Sequence, residues 1–163
     1  GGTRPPEGMV LQPSATIFDV SMIVVGAMII IASLLVHRGF GRRAVTIPLL
    51  VLGVGALGVG VFPGNTDTPH ALFAMATFIA GGVACLTGAL VTRGPFRWLS
   101  VLCGSVALLT LASYLVMQEA APLAVLGTGG VERWIVYPIV LWVTGFGGYV
   151  AGTAEAGRET MAP

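Results

Sequence analysis

The chain has 163 residues, 55% of them hydrophobic and only 9% charged, with a net charge of +1. Soluble domains carry about 25% charged residues, so a water-exposed globule is excluded, and so neutral a chain offers nucleic acid no basic surface. Every basic side chain is arginine or histidine; with no lysine, a retinal-type Schiff base is excluded too.

A membrane span needs about 20 mostly apolar residues, and five stretches supply them. They are residues 17–36, 44–62, 71–91, 98–117 and 134–151. Hydrocarbon obliges each backbone polar group to bond within its own segment, so all five are expected to be helices. The predicted fold is an all-α, polytopic transmembrane helical bundle, with residues 1–163 as a single membrane domain.

The first connection is His37-Arg38-Gly39-Phe40-Gly41-Arg42-Arg43. The second span carries G-V-G-A-L-G, the spacing of a dinucleotide loop, at Gly53, Gly55 and Gly58. A phosphate there would place charge in hydrocarbon, and the strand and distant acid of that fingerprint are missing. Close helix packing is the expected use of these glycines. Ahead of the third span, Thr68 and Pro69 supply a capping hydroxyl and a first-turn proline.

The connection Thr92-Arg93-Gly94-Pro95-Phe96-Arg97 is basic again, and its R-G-P-F-R resembles the earlier R-G-F-G-R. These two loops hold five of the eight arginines, while residues 63–70 hold none. By the positive-inside rule they face the cytoplasm. The amino terminus of this segment then lies outside, residues 153–163 form a cytoplasmic tail, and the plasma membrane is the expected location. Gly1-Gly2 is not a translation start, and residues 1–13 do not read as a signal peptide. A further span upstream, six in the complete protein, is the resulting expectation.

The span interiors are almost free of titratable groups, whereas pumps and ion paths keep such groups at depth. His37 and His70 fall at opposite ends of the bundle, about 30 Å apart by the thickness of the hydrocarbon core, which argues against a bis-histidine haem. Cys85 and Cys103 are too few for a metal site and read as small buried thiols on the reducing side. Neither a cofactor nor a metal is expected.

The outer side is richer. Asp19, His70, Glu132 and Arg133 are all expected near one interface, with Trp134 and Tyr137 as the aromatic belt. Glu132 is placed at a helix start, where its charge complements the dipole. Adjacent helix residues face apart, so Arg133 needs its own partner, and Asp19 is the natural one. The cluster has three readings, in order: an ion-pair network, a site for a lipid headgroup or other polar ligand, and a catalytic centre using carboxylate and His as acid and base.

Two elements carry a family likeness: Q-P-S-A-T-I-F-D-V-S-M-I at residues 12–23, and G-G-V-E-R-W-I-V-Y-P at residues 129–138 with G-F-G-G-Y at residues 145–149. With Phe62-Pro63, His70 and Phe73, the chain resembles the prokaryotic integral membrane proteins known as domain of unknown function 998. The resemblance implies the fold and one more helix upstream, and no activity.

The leading functional expectation is therefore a non-catalytic accessory, scaffold or lipid-contacting protein. Its partners would be membrane lipids, other membrane subunits or copies of itself. A lipid-modifying enzyme using the outer cluster is the alternative, and a small-molecule transporter comes third.

Overall fold

The computed structural model describes residues 12–159. Five helices follow in order: α1 (Ser14–Phe40), α2 (Arg43–Val61), α3 (Thr68–Gly88), α4 (Pro95–Met117) and α5 (Gly127–Glu159). Short 3₁₀ turns at Gly64–Thr66, Gln118–Ala120 and Ala124–Leu126 fill the connections, and no strand occurs among the described residues. All five helices are long and apolar enough to cross a membrane. The fold is the all-α helical bundle expected. Residues 1–11, most of the stretch behind the signal-peptide argument, and residues 160–163 of the tail lie outside the described part.

The chain divides into two compact units, with the boundary between Ala84 and Cys85, near the end of α3. The first holds α1, α2 and most of α3. The second holds the end of α3 with α4 and α5.

In the first unit, α1 and α2 pack as an antiparallel hairpin whose seam is made of small residues. Gly26 and Ser33 are buried on α1; Gly53, Ala56 and Gly60 are buried on α2. A Cβ on Gly53 would stand 2.9 Å from the carbonyl oxygen of Gly26 and from the nitrogen of Ile30. A Cβ on Gly26 would run into the Leu57 backbone nitrogen. Hydrocarbon gives apolar side chains no reason to leave it, so close backbone approach and dispersion must hold such helices together. The opposite side of α1 shows the complement: Val20, Val24, Met28, Ile31 and Leu35 are all exposed. A stripe of that kind suits an apolar surrounding, lipid or another helix.

The G-x-G-x-x-G spacing of α2 serves two neighbours at once. Gly53 takes the backbone of α1, while Gly55 and Gly58 make room for Thr77 and Phe73 of α3. The nucleotide reading is thereby disposed of on geometry.

Both basic loops turn on a glycine with positive φ, Gly41 at 62° and Gly94 at 60°. L-residues with a side chain rarely adopt this conformation. Gly41 closes α1 with its N–H on the His37 carbonyl at 2.8 Å. Arg42 and Arg43 then open α2 at the wrong end of its dipole. The cost of that placement is roughly 0.3–1 kcal/mol per charge. Thr46 Oγ donates to the Arg42 carbonyl at 3.1 Å and accepts from His37 Nδ1 at 3.2 Å, tying the two helix ends together.

In the second unit, α4 and α5 form the other hairpin. Trp142 is fully buried, lies against Gly88 and stacks on Phe146 at 4.7 Å. Phe96 extends the stack to Tyr149, whose hydroxyl accepts the Arg93 N–H at 3.0 Å. Cys85 and Cys103 are buried and free, as expected of small thiols.

The glycine seam makes a direct prediction. Gly53→Val forces two backbones apart, and overpacking on this scale costs at least about 2 kcal/mol. It should clearly lower the melting temperature in detergent. Gly39→Ala, with open space around it, should leave that temperature unchanged or slightly raised, since Ala suits a helix better.

Candidate functional site

The expected outer-face residues fall in both units, and each group is described in its own unit. In the first, Asp19 is half-buried in the second turn of α1, where its carbonyl oxygen lies against Gly60 of α2. His70 lies in the first turn of α3, and its Nδ1–H donates to the Phe62 carbonyl at 2.8 Å. In the neutral ring that bond leaves Nε2 as a free acceptor. Asp19 and His70 are thus both set against the last turn of α2. The ring stack of Phe62 on Phe73, 5.4 Å apart and nearly parallel, fixes that turn on its apolar side.

The start of α3 differs in detail from the sequence reading. Thr68 is already inside the helix, and the Asp67 carbonyl accepts the first helical N–H, from Ala71, at 3.0 Å. Asp67 occupies the cap position with φ at 52°. A non-glycine residue there costs on the order of 1 kcal/mol. The tight reversal from the 3₁₀ turn at Gly64–Thr66 imposes it.

In the second unit, Glu132 and Arg133 are exposed on α5. That helix begins at Gly127, so Glu132 lies in its second turn rather than at its start. A span beginning at residue 134 leaves the glycines at 127, 129 and 130 in the preceding connection. Near the membrane a hydrogen-bonded helix is the cheaper state for them, whatever their intrinsic propensity. By helix rise, Arg133 lies about 9 Å along the axis from Gly127. Its Nη1 comes within 3.9 Å of the place a Gly129 Cβ would occupy, so the side chain runs back toward the start of α5. Trp134 and Tyr137 are exposed beside it.

Arg133 is one wall of a feature the sequence did not announce. An open groove of about 830 Å³ lies between α4 and α5. Leu99, Leu102, Cys103 and Val106 line it from α4; Gly130, Arg133, Trp134, Tyr137, Pro138 and Leu141 line it from α5, with Leu126 just ahead. Its lining carries one cation and no carboxylate. Pro138, in the interior of α5, has no N–H for the Trp134 carbonyl. The register of the two walls is set below the groove. There the Trp142 indole N–H donates to Ser100 Oγ at 2.8 Å, and Ser100 donates to the Phe96 carbonyl at 2.8 Å. Groove residues on α4 lie some thirty positions from those on α5, which is why periodicity alone missed them.

The chemistry of this set is limited. Among the described residues no three of His, Cys, Asp and Glu group to hold a metal. Together the expected site residues offer two carboxylates, an imidazole with a free nitrogen, a guanidinium and a phenol, all within three turns of a helix start.

A family model described as protein of unknown function (DUF998) matches residues 8–149. The chain belongs to the DUF998 family. No curated protein and no solved structure matched it. Both elements that carried the likeness in the sequence have a structural place in this DUF998 chain. The first opens α1 up to Asp19 and beyond, and the second forms the groove-lining turns of α5.

The Trp142–Ser100 bond can be tested as the pin of the α4–α5 register. Ser100→Ala leaves a buried indole N–H unpaired and should cost about 1–3 kcal/mol. In a Trp142→Phe background the same substitution should cost much less. Chemical unfolding of the four proteins in mixed micelles reads the coupling; equal costs in both backgrounds would remove the pin.

Proposed function

We propose that this DUF998 protein is a non-catalytic, multi-pass protein of the plasma membrane. It contacts lipid, and through lipid or helix packing other subunits, through Asp19 and His70 in the first unit and Glu132, Arg133 and Tyr137 in the second. One observation carries the reading: the groove between α4 and α5 is apolar along its length and charged only at Arg133. A reaction centre in hydrocarbon would need acid, base or metal at depth. A lipid-contacting surface needs only oily walls and a polar rim. Bond geometry supports an anchoring role for His70, whose Nδ1–H joins α3 to the end of α2.

The orientation belongs to the same proposal. The loops around Arg38, Arg42 and Arg43 and around Arg93 and Arg97 face the cytoplasm, and the charged ends of α1, α3 and α5 described above face outward. Single cysteines at position 65 or 95, in a chain with Cys85 and Cys103 replaced, provide the test. Asn65→Cys should react with an impermeant maleimide added to intact cells, and Pro95→Cys should not. The reverse pattern inverts the topology.

The role itself is tested by exchanging Asp19→Asn, His70→Gln and Glu132→Gln one at a time. An anchoring and contacting role predicts a lower melting temperature, largest for His70→Gln at roughly 1 kcal/mol for its lost bond. Total lipid extracts of a deletion strain carrying each variant should match those of the wild-type strain. Accumulation of one lipid species by a variant that melts normally would instead make the cluster a lipid-modifying centre. Substrate-dependent flux in liposomes would make the protein a carrier.

A further inference from the structure

We infer that the α4–α5 groove seats one anionic phospholipid, with its headgroup phosphate on Arg133 and an acyl chain along Leu102, Val106, Pro138 and Leu141. The inference rests on the lipid-contact reading and goes further by naming the occupant. Charge is the first argument. Arg133 is the single ionised group lining an otherwise apolar groove, and no carboxylate of the lining balances it. A guanidinium at the edge of hydrocarbon must reach water or an anion. Its planar fork matches two phosphate oxygens at once. The side chain is already turned along α5 toward Gly129, at the start of the helix.

Dimensions are the second argument. From Arg133 to Leu141 the groove descends eight residues, about 12 Å along α5. One leaflet of hydrocarbon is about 15 Å deep. The apolar part of the groove therefore fits a chain from the same leaflet as its headgroup. A transmembrane partner helix would instead ask for a complementary face about 30 Å long.

The walls are the third. Leu102, Trp134, Tyr137 and Leu141 are each half or more exposed within the folded chain, so the groove is open sideways to the bilayer. Trp134 and Tyr137 place amphipathic rings beside Arg133, at the level where chain meets headgroup. Glu132, one residue away, projects in another direction around α5 and leaves the guanidinium to its ligand.

Trp134 is the built-in reporter. Full-length protein is reconstituted into phosphatidylcholine vesicles with graded amounts of a phospholipid brominated at mid-chain, bearing either a phosphatidylglycerol or a phosphatidylcholine headgroup. The quenching that Trp134→Phe abolishes belongs to the groove. The glycerol headgroup should be preferred about tenfold, the factor for about 1.4 kcal/mol. Arg133→Gln should bring the two headgroups to parity, and Arg133→Lys should keep most of the preference. Circular dichroism melting of both variants close to wild type keeps the comparison clean, and the Lys variant still decides if the Gln variant is unstable. Quenching of Trp134 by both headgroups alike in the wild type overturns the anionic seat while leaving lipid contact standing. A preference that survives Arg133→Gln overturns the role of Arg133. No quenching of Trp134 by either lipid overturns the seat together with lipid contact at this face, and assigns the groove to a protein neighbour.

Discussion

Backbone hydrogen bonding in a solvent that offers none dictates this molecule. Each peptide group in the hydrocarbon must be answered inside its own helix, so the described residues form five rods and their turns. The same solvent removes the usual reason for apolar side chains to associate. Contacts between rods must come from shape, and shape here means glycine. Gly26, Gly53 and Gly60 bring α1 and α2 to backbone contact, and Gly88 does the same for the Trp142 ring. Charge is expelled to the rod ends by the same rule, and that is where the groups with chemistry stand.

Those ends were legible in part. The number and type of helices follow from stretch length and hydropathy, and the family from two short elements. Helix limits were harder. Glycine and threonine at 127–130 signal a loop in water, yet near lipid they continue a helix. A hydroxyl before proline makes Thr68 a good cap on paper, but the 3₁₀ turn at Gly64–Thr66 moves that place to Asp67. The partner of His70 was hidden as well: a backbone carbonyl eight residues earlier leaves no mark in composition.

The groove was the least legible element, for a geometric reason. Its walls need the register between α4 and α5, and that register comes from a buried tryptophan finding a serine 42 positions away. Arg133 was picked out from the sequence as a partner for a carboxylate. In the second unit its surroundings are oily instead. The residue was found, but its setting was not, because a side chain's environment depends on which faces of two helices meet.

The glycine seam has one more consequence. Interfaces built from side chains can slip, since rotamers flip and knobs find the next hole. Where main chain lies close to main chain, as at Gly26 and Gly53, little is left to flip. Translation of one rod along the other would drive Ile30 or Leu57 into backbone. The α1–α2 hairpin is therefore closely matched at one register, the one in which Gly26 and Gly53 meet the opposite backbone.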